Sequence, residues 1–143
     1  FLDYCNQFDN NYLFQSKDPS RFLEFIGHPV MRKSVLCTTL ETNVFYPDIV
    51  RHAPNTRKRA KAMQKLANLG MRTYVTCEPL IQFDLFEMVE LVRMCFPVQV
   101  NIGRNSRQDI TRPEPTRNEV QALITGLQKF TRVVVKSNAK CWI

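Results

Sequence analysis

Two glutamates occupy positions where strands of this 143-residue chain are predicted to end. Residues 74–77 (YVTC) have the β-branched and aromatic composition of a strand, and Glu78-Pro79 closes it because proline cannot donate to a strand ladder. Glu41 comes late in a second predicted strand, residues 34–43. Alternating β/α folds place their chemistry at the carboxyl ends of strands. Paired carboxylates there would suit acid–base work or the binding of hydroxyl and ammonium groups.

Other polar residues are predicted at the same strand ends, and they leave two interpretations open. Lys17 and Lys136 on flanking strands would neutralise the glutamates in a buried ion-pair network. Asn43, Asn101 and Asn138 would add neutral hydrogen-bonding groups. The residue types therefore favour a site, but they assign no catalytic residue and no reaction. A barrel enzyme without a metal cluster, using Glu41 and Glu78, is the weakest of the functions considered.

The elements that must position these residues alternate regularly. Strands are predicted at 12–17, 34–43, 74–77, 98–102 and 132–138, with a loop at 45–54. Helices are predicted at 1–8, from 18 or 19 to 26, from the cap at 55 or 56 to 69, from the cap at 84 to 96, and from the cap at 116 or 118 to 130. Alternation of this kind predicts an α/β fold with a parallel sheet and right-handed crossovers.

Each predicted strand has one polar face, which an α/β sheet covered by helices on both sides would not show. The polar set is Gln15, Lys17, Thr39, Glu41, Asn43, Thr76, Glu78, Gln99, Asn101, Lys136 and Asn138. The alternate set is mostly apolar: Phe14, Leu36, Leu40, Val75, Val98, Val100, Ile102, Val133 and Val135. We therefore predict a parallel five-stranded sheet with helices mainly on one face, a partial (β/α) TIM-like barrel. The alternative is an open sheet whose polar face meets water.

Five strands cannot close a barrel, so two sheet edges are expected to be free. The first residue is Phe1, and we expect residues 1–143 to be a single domain that forms the C-terminal portion of a larger barrel. Either more chain or a second copy, in a homodimer, would cover the edges.

The net charge of +7 is concentrated in one stretch, residues 49–77, which has no carboxylate. Its cations are Arg51, Arg57, Lys58, Arg59, Lys61, Lys65 and Arg72. With Lys17, Arg104, Lys136, Asn138 and the arginine-rich loop 103–117, which includes Arg107, they would form a nucleic-acid surface. A solvated helix face is the simpler explanation.

The remaining composition excludes several classes of protein. No apolar run is long enough to span a bilayer and no signal-peptide pattern is present. The five cysteines show no metal-ligand spacing, and a cytoplasmic protein with reduced thiols is expected.

Four segments resemble the later half of a radical S-adenosylmethionine domain. They are T-T-L-E-T-N at 38–43, A-P at 53–54, R-x-x-A-M-x-x-L-x-x-x-G at 59–70 and C-E-P at 77–79. The likeness covers nearly the whole chain from residue 12 onward. It is strongest to phage-type and DNA-photolyase-like members, in the neighbourhood of spore photoproduct lyase.

The resemblance implies a partial (β/α) barrel and a set of cofactor-binding residues. By position, Thr39, Glu41 and Asn43 would hold the ribose and amino-acid part of S-adenosylmethionine. The C-E-P segment would contribute Glu78, and the strand end from Asn101 to Gly103 would line the adenine or the substrate. The implied cofactors of the full-length protein are S-adenosylmethionine and a [4Fe–4S] cluster.

The chain departs from this family in one respect. The C-x-x-x-C-x-x-C loop that holds the cluster is absent, and we expect it upstream of Phe1. This chain alone is therefore expected to be inactive, with no metal site of its own. A basic α/β module that binds nucleic acid without catalysis is the alternative.

Overall fold

The computed structural model of the protein describes residues 1–50, 52–106 and 112–143. Arg51 and Arg107 therefore lie outside the described residues. The strands are β1 (Tyr12–Gln15), β2 (Ser34–Thr39), β3 (Arg72–Cys77), β4 (Gln99–Ile102) and β5 (Arg132–Val135). The α-helices are α1 (Leu2–Asn6), α2 (Pro29–Arg32), α3 (Pro47–Val50), α4 (Thr56–Asn68), α5 (Leu85–Arg93) and α6 (Arg117–Gln128). Two 3₁₀-helices cover Pro19–Phe25 and Ser137–Trp142.

The five strands form one parallel sheet in the sequential order β1-β2-β3-β4-β5. This confirms the predicted α/β fold. Sequential order with right-handed crossovers places every connecting helix on the same face of the sheet. Both outer strands pair on one side only, so the sheet is open at β1 and at β5.

One hydrophobic core lies between the helices and a single face of the sheet. From the strands it takes Leu36, Val75, Cys77, Val100 and Ile102, and Leu40 joins them just after β2; from the three long helices it takes Ala60, Met63, Leu66, Met88, Leu91, Val92, Val120, Leu123 and Leu127. The opposite face, called here the open face, carries two rows of aligned residues. The first row is Gln15, Cys37, Tyr74, Gln99 and Arg132, and the second is Thr39, Thr76, Asn101 and Val134.

The long helices begin at the caps that the sequence predicts. Asn55 accepts a hydrogen bond from the backbone N–H of Lys58, and Asp84 accepts one from that of Glu87. Thr116 forms a reciprocal capping box with Glu119 at the start of α6. None of the described helices is long and apolar enough to cross a membrane.

Several predicted boundaries are wrong. Strand β2 ends at Thr39 rather than at residue 43, although Leu40 still donates its N–H to the Thr76 carbonyl. Strand β5 ends at Val135 because Lys136 caps the last 3₁₀-helix. A short helix that was not among those predicted begins at Pro29, with His28 as its cap.

Two further predictions failed in detail. The predicted loop 45–54 contains helix α3. Val98, expected on the covered face, precedes β4 and is 48% exposed.

Candidate functional site

The carboxyl ends of the five strands meet at one edge of the sheet, and Glu41 lies there wholly buried between two cations. Its Oε1 is 2.5 Å from Lys17 Nζ, and its Oε2 is 2.9 Å from Arg59 Nη1. Both carboxylate oxygens are therefore occupied by protein groups. The structure favours the ion-pair interpretation of this residue over a catalytic one.

Arg59 lies beside Glu41 and is also fully buried, although it belongs to the basic stretch 49–77 that was predicted to face solvent or a nucleic acid. Its Nε donates to the Pro54 carbonyl at 2.6 Å, and its Nη1 donates to the Thr39 carbonyl at 2.9 Å. Its Nη2 is buried without a partner among the described residues. A phosphate at the surface would not reach the fully buried Arg59 guanidinium, so Arg59 is not part of an exposed nucleic-acid surface.

Glu78 occupies the equivalent place at the end of β3. Lys136 Nζ forms an ion pair with its Oε2, and Asn138 Nδ2 donates to its Oε1 at 3.1 Å. Gly103 is the neighbour that makes room, because a Cβ at that position would lie 2.6 Å from Glu78 Oε1. Unlike Glu41, this carboxylate keeps a quarter of its side chain exposed.

Two more residues predicted to bind a cofactor or a nucleic acid have structural partners. Asn43 accepts from the Asp84 N–H at 2.9 Å and donates to Glu87 at 3.1 Å, which joins the segment after β2 to the start of α5. Arg104 donates to the Glu114 carboxylate through both Nε and Nη2. This hydrogen-bonded carboxylate raises the pKa of the Arg104 guanidinium.

Polar groups at the centre of the open face retain unused hydrogen-bonding capacity. Thr39, Thr76 and Asn101 are aligned across β2, β3 and β4, with Thr39 3% and Thr76 5% exposed. Gln15 Nε2 donates to Thr39 Oγ1 at 3.2 Å. The Thr76 Oγ1 is buried and has no hydrogen-bond partner among the described residues. We call Thr39, Thr76 and Asn101 the polar floor.

Burial keeps the neighbouring thiols protonated. It raises the pKa of Cys37 to about 11, against an opposing effect of the Lys136 charge. Burial likewise raises the pKa of Cys77 and, to about 12, that of Cys95. None of these thiols is therefore a nucleophile at neutral pH. The described residues contain no group of three or more potential ligands placed to hold a metal ion.

On the other side of the sheet, helix α4 exposes most of its charge. Arg57, Lys58, Lys61 and Lys65 are exposed on this helix. None of the four makes an ion pair within the described residues.

Comparison with known proteins adds no constraint to this geometry. No protein-family model, curated protein or solved structure gives a significant match to the chain.

Sequence reasoning missed two features of the site. Thr76 was predicted on the polar face but not among the site residues, although its strand period was the available signal. The burial of Arg59 also had a signal: it lies four residues before Met63 and seven before Leu66, on one helix stripe.

Proposed function

We propose that this chain is part of a radical S-adenosylmethionine enzyme domain and that its polar floor contacts the polar part of S-adenosylmethionine. The observation that carries the proposal is the buried Thr76 hydroxyl without a partner, in line with Thr39 and Asn101. A buried hydroxyl with no hydrogen bond costs about 1–3 kcal/mol, so such groups call for a partner. A hydroxyl or amine of a bound ligand would supply one.

The residues fit the two implied cofactors unequally. Hydroxyls and amides on the floor match the ribose and amino-acid groups of S-adenosylmethionine. The cluster does not fit this chain, because the sequence lacks the three-cysteine loop and the described residues form no metal-ligand group. We therefore assign no step of a radical reaction to these residues. Their role in the proposal is to bind and orient.

The proposal also changes which predicted residues take part. Glu41, Glu78 and Asn43 hold protein partners, and Gly103 packs against the Glu78 carboxylate. These four support the floor from its edge. Thr39 keeps the contact with the ribose or amino-acid part of S-adenosylmethionine that the resemblance implied. Asn101, which the resemblance placed beside the adenine or the substrate, and Thr76 complete the floor.

Calorimetric titration of this chain with S-adenosylmethionine tests the proposal. We expect saturable binding with a dissociation constant of about 1 mM or tighter. Thr76→Val should weaken binding about tenfold, because it removes the hydroxyl and keeps the side-chain volume. The matched control is Thr125→Val on α6, whose hydroxyl donates to the Gln121 carbonyl in its own helix.

Two results would contradict the proposal. One is the absence of saturable binding, and the other is equal affinity of Thr76→Val and the wild type. Because the Thr76 hydroxyl has no partner, its removal should not lower the free energy of unfolding. A loss of binding would therefore not come from a loss of fold.

A second candidate function, nucleic-acid binding, has its own observation. Arg57, Lys61 and Lys65 lie at i, i+4 and i+8 on α4, and like charges at this spacing repel. A phosphate backbone would relieve that repulsion.

Salt-dependent binding of duplex DNA separates this function from a merely solvated helix. Lys61→Gln should lower the slope of log affinity against log salt by about one. The control is Lys129→Gln, a cation at the end of α6. Binding that ignores salt, or equal slopes for the two variants, would exclude the α4 surface.

A further inference from the structure

The exposed cations of α4 border a groove whose other wall carries exposed aromatic rings. Helix α4 has no aromatic residue of its own. Its Arg57, however, lines a groove of about 530 Å³ together with Phe86 and Phe96. Phe86 is 74% exposed at the start of α5, and Phe96 is 59% exposed just after the end of that helix. The fold therefore brings cations and large exposed rings together, although they are distant in the sequence.

Two of the α4 cations border this groove without a carboxylate partner. Arg57 lines it directly, and Lys61 follows about one helical turn later on the same stripe of α4. Gln64, on the next turn of that stripe, also lines the groove. Neither cation forms an ion pair within the part of the chain that the structure describes. The α4 wall of the groove therefore offers unpaired positive charge.

The α5 wall carries two carboxylates, and both already have partners. Asn43 Nδ2 donates to Glu87 at 3.1 Å, and Arg93 Nε donates to Glu90 at 3.0 Å. The unpaired charge of the groove thus lies on α4, whereas α5 contributes neutralised pairs and rings. An anionic partner would place its charged groups along α4 and its uncharged groups toward α5.

The Phe96 ring is exposed at a position where its backbone is unfavourable. Its φ of 48° lies in the left-handed region that glycine normally takes just past a helix. Its N–H donates to the Arg93 carbonyl, and its own carbonyl accepts from the Thr73 hydroxyl. Burial of the ring within this chain does not offset the cost of this conformation, since most of the side chain is exposed. The position favours a contact of the ring with a molecule outside the chain.

We propose that the α4–α5 groove binds single-stranded DNA, with phosphates along Arg57 and Lys61 and bases stacked on Phe86 and Phe96. Proteins that bind single strands combine a cationic track with aromatic rings, because every base has a face on which a ring can stack. In a duplex these faces are already stacked on one another, so the rings gain no contact there. The inference rests on nucleic-acid binding by α4, the second candidate function, and names its partner. It does not depend on the polar floor, which lies on the opposite face of the sheet.

Fluorescence anisotropy with labelled DNA measures this preference. The wild type should bind an oligothymidine of about twenty nucleotides at least about tenfold more tightly than a duplex of the same length at the same salt concentration. Phe86→Ala and Phe96→Gly should each weaken single-strand binding about tenfold, because each removes one stacking ring. Neither change should alter the binding of the duplex. The matched control is Tyr4→Ala, which removes a 64% exposed ring on α1 outside the groove and should leave both affinities unchanged.

The glycine variant separates binding from folding. Phe96→Gly should not lower the melting temperature, because glycine accepts the left-handed backbone and the lost ring is exposed. A loss of single-strand binding in this variant would therefore come from the ring itself.

Three outcomes overturn the proposal, and they separate it from the function on which it rests. Equal affinity for the single strand and the duplex overturns it, and so does unchanged single-strand binding in both phenylalanine variants. In either case nucleic-acid binding by α4 still stands if Lys61→Gln lowers the salt slope. Absence of binding to both forms of DNA at about 1 mM protein overturns the two together.

Discussion

Replacement of Arg59 by methionine removes the most heavily engaged side chain of the candidate site. The guanidinium is fully buried and binds the Glu41 carboxylate and the carbonyls of Thr39 and Pro54. Methionine fills a similar volume without a charge. The variant therefore tests whether Glu41 tolerates burial with Lys17 alone.

The expected loss in the free energy of unfolding follows from these contacts. Breaking a buried ion pair from one side costs about 3–5 kcal/mol, because the remaining charge is left without compensation. The total stability of a domain is about 5–15 kcal/mol, so Arg59→Met should bring the protein close to unfolding. Lys17→Met should cost about 1 kcal/mol, because the Lys17 side chain is 45% exposed and water screens its ion pair with Glu41.

Urea unfolding followed by circular dichroism measures these changes. We expect the combined variant Glu41→Leu/Arg59→Met to lose less stability than Arg59→Met alone, since no buried charge then remains. Glu41→Leu alone should also be severely destabilised. The coupling between the two positions should therefore be at least about 2 kcal/mol.

The reasoning would be refuted by a loss below about 1 kcal/mol for Arg59→Met, since a buried unpaired carboxylate costs more than that. Additive losses in the combined variant would also refute it. If Arg59→Met does not fold, the combined variant and Lys17→Met still test the argument.

Three other predictions concern the contact between Gly103 and Glu78, the buried Cys37 thiol and the cap of α6. Gly103→Ala should lower the free energy of unfolding by about 1–3 kcal/mol in urea unfolding, because its Cβ meets the Glu78 carboxylate; the loss should shrink in a Glu78→Ser background. Stability measured by thermal unfolding should fall as pH rises from 9 to about 11, since the unfolded chain releases the Cys37 proton there and the folded chain keeps it. Thr116→Ala should cost about 1 kcal/mol by losing the cap of α6. The hydrogen bonds that lower the Glu119 pKa should make this cap weaken as pH falls through that pKa, so the wild-type and variant stabilities should converge in acid.

The sequence by itself determined the five strands, the three long helices and the two faces of the sheet. Alternation of polar and apolar residues in the strands depends only on a two-residue period, and helix caps depend only on neighbours within four residues. Both signals are local, so the parallel sheet and the starts of α4, α5 and α6 were predictable. The strand ends were not, because the point at which β2 or β5 leaves the sheet depends on distant partners.

Only the tertiary structure decided which polar residues are partners of one another. Glu41 meets Lys17 and Arg59 across separations of 24 and 18 residues, and Glu78 meets Lys136 across 58. Charge and burial act through space, so no local pattern shows whether a carboxylate faces a ligand or a lysine. The left-handed backbone of Phe96 also depends on the tertiary structure, because the helix before it and the Thr73 hydroxyl from β3 hold it.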